Sequence, residues 1–261
     1  MLNRTQRVNA FADEASAAFG EAMVTLTSVE RRVGGLKRLD GGIAISTMSA
    51  VASHNFVMIL NDAVSVSAVT ELVSDLADAK LPFSVQLRPD VQPGIRELLS
   101  DFKLTCTFCA PLMALPDITD ITAGTINGFN VHAIKPGQAS IHAAIAGASF
   151  GVGPAIFSQR ITDEVLEVPG VHCYVGTIKG LDVATALGGM SGSFVGIFNV
   201  ATLPEHRYKG YGTELTKAAI VGGRNLGASS AVLMASPMAH QLYQKIGFHT
   251  LEEWEIWERV S

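Results

Sequence analysis

The residues best suited to chemistry in this chain lie together, in the run Asn199-Val200-Ala201-Thr202-Leu203-Pro204-Glu205-His206-Arg207-Tyr208-Lys209-Gly210-Tyr211-Gly212-Thr213. An apolar segment that reads as a strand ends here, and a segment with helical apolar spacing begins. Gly210 and Gly212 allow a tight turn and leave successive backbone N–H groups exposed. The unpaired donors of a helix start and its dipole favour an anion at that point. Arg207 and Lys209 place positive charge beside it. The combination suits a diphosphate. It is not a Walker-type loop, which needs G-x-x-x-x-G-K-S/T, and it is not a G-x-G-x-x-G dinucleotide fingerprint, because Leu215 stands where the third glycine belongs. On glycine spacing alone, a plain strand-to-helix turn is the better reading.

A second segment narrows the choice. Val200-x-Thr202-x-Pro204-x-x-Arg207-x-x-Gly210-x-Gly212-x-x-Leu215 resembles the acetyl-CoA motif of the GNAT N-acetyltransferase superfamily, and Leu242-Tyr243-Gln244-Lys245-Ile246-Gly247-Phe248 is similar to its second signature, a helix bearing tyrosine that leaves through Gly-Phe. The resemblance is close over residues 194–248 and looser over 129–185. It implies an α/β (α+β) fold, a mixed, mostly antiparallel sheet flanked by helices, and acetyl-CoA as cosubstrate. It also implies residue roles. The strand residues Val200, Ala201 and Thr202 would pair with pantetheine as an added strand does. The Val200 amide would polarise the thioester carbonyl. The amides of Arg207, Tyr208, Lys209, Gly210, Tyr211, Gly212 and Thr213 would hold the pyrophosphate, with the Arg207 side chain helping or facing solvent. Tyr243 would protonate the departing thiolate; as a rival, it is a core tyrosine with a bonded hydroxyl. Ser236 stands where many members carry a pantetheine-contacting asparagine; followed by Pro237, it also reads as a helix N-cap, seven residues before Tyr243 on one helix face.

An attacking amine must first lose a proton, and many members supply a strand glutamate for this. Residues 193–202 contain no carboxylate. Glu205 and His206 read as surface loop residues. His132, His142 and His172 fall on elements that could border a substrate cleft, but no base is assigned.

The elements needed to position these groups are readable. Helices are expected over 5–19, 66–79, 94–102, 138–148, 154–162, 213–226 and 237–246. The helix at 213–226 carries Leu215, Ala218, Ala219, Gly222 and Leu226 along one side. Strands are expected over 42–48, 56–60, 83–87, 105–115, 129–134, 172–178, 183–187, 193–202, 230–235, 248–251 and 254–259. The polar stretch 115–127 is the best boundary, giving residues 1–120 as a degenerate GNAT-like lobe and 121–261 as the catalytic domain. Each half runs in a similar order, a sign of duplication, but the glycine loop has no partner in the first half.

Composition excludes several classes. A hydrophobic share of 48 % argues against disorder, and a net charge of -5 argues against a nucleic-acid partner. Arg31, Arg32, Lys37 and Arg38, with Gly34 and Gly35, read as a solvated basic loop. The polar N-terminus and the lack of a bilayer-length apolar run predict a cytoplasmic protein with no membrane partner. Cys106 and Cys109 form C-x-x-C without a second pair, so no metal site is expected. Three apart on a strand, they should lie on opposite faces as buried structural cysteines. The function implied is transfer of acetyl from acetyl-CoA to a primary amine, with a non-catalytic acyl-CoA sensor or scaffold as the alternative. A longer acyl donor, the acceptor and the oligomeric state stay open.

Overall fold

The computed structural model describes residues 4–27, 35–61 and 63–259. In chain order it contains α1 (Arg4–Thr27), β1 (Gly35–Leu39), β2 (Gly42–Ser46), β3 (Phe56–Ile59), α2 (Val66–Asp78), β4 (Ser84–Leu87), α3 (Gly94–Asp101), β5 (Thr105–Leu115), β6 (Phe129–Ile134), α4 (Ala139–Phe150), α5 (Pro154–Ser158), α6 (Asp163–Leu166), β7 (Val171–Ile178), β8 (Leu181–Ser191), β9 (Phe194–Thr202), α7 (Tyr211–Asn225), β10 (Ser230–Met234), α8 (His240–Ile246) and β11 (His249–Glu258).

All the strands join one sheet in the order β1-β2-β3-β4-β11-β5-β10-β9-β8-β7-β6. Most pairs are antiparallel; β3 with β4 and β9 with β10 are parallel. The alternation of apolar residues decides what covers each face. On β3, Val57 and Ile59 pack with Val69, Leu72, Val73 and Leu76 of α2, whereas Phe56 and Met58 pack with Phe19 and Met23 of α1. In the second half, α7 covers one face through Leu215, Ala219 and Ile220, and α4 covers the other through Ile145.

The strands at the centre of the sheet are exchanged between the halves. β11, the last strand, pairs with β4 and β5, and β5 pairs with β10. Buried Arg88 pins this seam: its guanidinium bonds both carboxylate oxygens of Glu252 on β11, Asp13 of α1 at 2.8 Å and the Leu60 carbonyl at 2.6 Å. α1 also crosses over and packs on β8, β9 and β10. A β-carbon at Gly196 would lie 2.9 Å from the Ala22 methyl, so glycine there lets this helix lie flat on the sheet.

Several sequence expectations need correction. Lys37 and Arg38 lie on strand β1 rather than in a loop. Lys37 pairs with Glu71 at 2.7 Å and Asp75 at 2.8 Å, and Arg38 pairs with Glu21; Arg31, Arg32 and Gly34 lie outside the described residues. The C-x-x-C cysteines are exposed, not buried. They also share a face. Cys109 and Cys106 sit opposite Glu255 and Trp257, which are two apart on β11, because a register shift adds one residue to this stretch of β5. The two final strands are one, and Leu226 is exposed at the C-cap of α7.

Candidate active site

β9 pairs with β10 only from Phe194 to Gly196, and from there the two strands part while β9 stays paired to β8. A V-shaped opening results, with Val200, Ala201 and Thr202 on its β9 wall. The β8–β9 register passes from Phe198 directly to Ala201, leaving Asn199 and Val200 without partners on β8. Asn199 adopts the left-handed conformation, φ 50°, which Asn tolerates better than most residues.

The opening leads to the glycine loop. Gly210 caps α7 in the left-handed conformation, φ 84°. The first helical bond runs from the Glu214 N–H to the Gly210 carbonyl, and the six amides from Tyr208 to Thr213 find no acceptor among the described residues. These orphaned donors at a helix start fit an anion. Gly212 is packed closely: a β-carbon there would stand 3.2 Å from Leu242 Cδ1 and 3.9 Å from both Thr202 Oγ1 and Val200 Cγ1.

The start of α7 is held by its surroundings. Tyr211 is buried and stacks on Phe129 of β6, centroids 4.0 Å apart. Gly176 makes room for this pair, since a β-carbon there would approach Phe129 within 2.2 Å. Glu214 accepts the Gly124 N–H and pairs with Lys217. Arg207 is occupied structurally: Nε donates to the Thr202 carbonyl at 3.2 Å and Nη2 to the Ser149 carbonyl at 2.6 Å, tying the loop to the end of α4. Lys209 folds back to the Glu205 carbonyl, and Tyr208 is 95 % exposed.

Tyr243, on α8, belongs to the same apolar cluster as Tyr211 and Leu215, with Val200, Leu203 and Leu242 packed against it. Its ring is buried and meets Phe248 edge-on at 5.9 Å. Among the described residues nothing hydrogen-bonds its hydroxyl. Burial pushes its pKa well above that of an ordinary phenol, so the proton is retained. Ser236 does not cap α8. The helix starts at His240, and exposed Ser236 begins the preceding turn, its carbonyl accepting from the Ala239 and His240 amides.

The histidines separate clearly. His132 is exposed. Nε2 of His172 lies 2.9 Å from the Ala219 carbonyl and so donates to it, with the ring lodged against Gly188 and Gly222. His142 is fully buried behind the β9 irregularity. Nδ1 lies 2.8 Å from Thr185 Oγ1 and 3.4 Å from Cys173 Sγ, and Nε2 lies 3.4 Å from Asn199 Nδ2. Burial lowers its pKa to about 4, so it is neutral near pH 7. Sequence reasoning assigned nothing to Asn199; its tolerance of the left-handed region was the one available signal.

Residues 169–250 match the family model described as the acetyltransferase (GNAT) domain. A GCN5-related N-acetyltransferase from Kribbella flavida is similar over the whole fold, with a TM-score of 0.70 and 17 % identity, covering 95 % of each chain. Another from Sphaerobacter thermophilus has a TM-score of 0.60 and 15 % identity, covering 87 % of this chain and 84 % of that one. At such identities these likenesses speak for the fold. No curated protein matches the sequence. Among the described residues no helix is long and apolar enough to cross a membrane. The family match is confined to residues 169–250, and the family it names, GNAT acetyltransferases, uses acetyl-CoA as cosubstrate.

Proposed function

We propose that this chain, a transferase through its GNAT domain, moves the acetyl group of acetyl-CoA onto a primary amine by direct attack on the thioester. The observation that carries this reading is the parted β9–β10 pair ending on six amides without acceptors among the described residues. A strand edge suits the amide groups of pantetheine, and the helix start suits the pyrophosphate. The arms of the pantetheine would lie along Val200, Ala201 and Thr202. The amides of Tyr208 to Thr213 would take the phosphates, while the Arg207 N–H is held by the Pro204 carbonyl and its side chain braces α4. Ser236, at the exposed turn before α8, is the remaining candidate contact.

The chemistry then has few parts. The amine nitrogen forms a bond to the thioester carbon while the Val200 N–H stabilises charge on the oxygen. The carbon–sulfur bond breaks, and Tyr243 gives its proton to the thiolate. The phenol is protonated at neutral pH, and its hydroxyl has no hydrogen-bond partner among the described residues, so it is open to the thiolate. His172 and His142 are engaged elsewhere, and no protein group is assigned as the acceptor of the amine proton.

Residues 1–120 read as a degenerate lobe beside the catalytic domain at 121–261. The run β3-α2-β4-α3-β5 repeats the order β9-α7-β10-α8-β11, including the parallel strand pair. The β3–α2 link lacks glycine altogether, so the cofactor belongs to the second half. Incubating the protein with acetyl-CoA and amine pools, with mass spectrometry of the products, tests the function. An acetylated amine is expected. Tight acetyl-CoA binding with no acetylated product would point to a sensor.

A further inference from the structure

The four polar groups behind the β9 irregularity come from four elements: His142 of α4, Cys173 of β7, Thr185 of β8 and Asn199 of β9. Their hydrogen bonding is settled once the Thr185 hydroxyl proton is assigned to the Tyr174 carbonyl. The Thr185 hydroxyl has a single proton, and it donates this to the Tyr174 carbonyl at 2.9 Å. Thr185 Oγ1 therefore accepts in its 2.8 Å contact with His142, so His142 carries its proton on Nδ1. In a neutral ring Nε2 is then an acceptor, and it faces the Asn199 amide nitrogen, a donor, at 3.4 Å. The ring cannot swing away, since it is fully buried with Phe157 edge-on at 6.3 Å.

Asn199 is also the left-handed residue of the unpartnered stretch in β9, immediately before Val200. Such a conformation is of higher energy for any residue with a β-carbon and persists when its surroundings hold it. We propose that His142 is a positioning residue for acyl transfer: by holding the Asn199 side chain it fixes the left-handed turn in β9 and thereby aims the Val200 amide at the thioester carbonyl. This rests on the acetyl-CoA reading above and adds to it a buried Thr185–His142–Asn199 chain. His142 takes no proton from substrate.

Two measurements on the full chain test it. Nitrogen-15 NMR of the histidine side chains, without ligand, should find His142 neutral at pH 7, with Nδ1 protonated and Nε2 bare. The opposite tautomer, or a charged ring, overturns the chain of bonds whatever the protein binds. The second uses acetyl-CoA labelled with carbon-13 at the carbonyl and reads the infrared stretch of the bound thioester. In the wild type the band should lie below that of free acetyl-CoA. In His142→Phe it should return most of the way to the free position, while affinity changes by about threefold or less. Asn199→Gly, which tolerates the turn but deletes the amide, should behave likewise and serves if His142→Phe does not fold. The double variant should go no further than either single one. An unchanged band in both folded single variants would make His142 a core residue and end the proposal. Absence of acetyl-CoA binding to the wild type would instead refute the acyl-transfer reading, leaving the NMR result to decide the rest.

Discussion

Replacing Tyr243 by Phe separates proton donation from packing unusually well here. The ring keeps its place against Phe248, and the deleted hydroxyl has no hydrogen-bond partner among the described residues. A buried hydroxyl that was bonded would take about 1 kcal/mol of stability with it. With no such bond, the change in stability should stay within about 0.5 kcal/mol. The hydroxyl's work falls in the transition state, so acetyl-CoA affinity should hold. Turnover should drop by roughly 10²–10⁴-fold, the usual contribution of a general acid. A thiolate leaves fairly readily, which places the expected drop toward the lower end. The assay is free-thiol release with an acceptor amine, read beside acetyl-CoA affinity by calorimetry and a melting temperature. Wild-type turnover in a folded Tyr243→Phe would refute the acid role and pass proton donation to water, leaving the fold assignment intact.

Other perturbations have equally definite outcomes. Gly212→Asp puts a carboxylate among the orphaned amides and should cost about 2 kcal/mol of CoA affinity, near 30-fold, with folding retained; calorimetry showing no loss would remove the cradle. Arg88→Met strands the Glu252 carboxylate at the exchanged-strand seam and should destabilise by about 3 kcal/mol in denaturant unfolding. Burial, aided by the charge of Arg160, holds His54 at a pKa of about 4, below its ordinary 6.5. The unfolded chain then binds the extra proton first, so this contribution to stability is present above pH 6.5 and is lost as pH falls toward 4; His54→Gln should flatten that part of the stability–pH curve. A thiol reagent should modify Cys106 and Cys109 in the folded protein and Cys173 only after unfolding.

Local signals located most of the elements. β5 and β6 begin and end where the alternating apolar runs do, and α2 starts at its Ser65 cap. The glycine loop and its helix were legible because turn chemistry and helix starts are short-range properties. β1 was not, since charged Lys37 and Arg38 on an edge strand look like a loop until Glu71, Asp75 and Glu21 are placed beside them. The facing of Cys106 and Cys109 depended on one extra residue in β5, set by its pairing with β11 some 150 positions away. The exchange of β5 and β11 likewise has no local signature. In the site, the backbone donors were foreseeable but the uses of side chains were not. Arg207 looked like a phosphate ligand and instead braces α4, and Ser236–Pro237 looked like a cap and forms a turn. His142 could be named as a cleft-bordering candidate, but its partners come from three other elements.

The central claim is that acetyl-CoA occupies the opening between β9 and β10, with its pyrophosphate on the start of α7. Amide hydrogen exchange with and without acetyl-CoA tests this most directly, because the amides of Tyr208 to Thr213 have no acceptor among the described residues. Slowed exchange should appear over residues 197–213 on adding acetyl-CoA, with no change before Leu115. Protection confined to residues before Leu115, or none in the loop at saturating acetyl-CoA, would contradict the account.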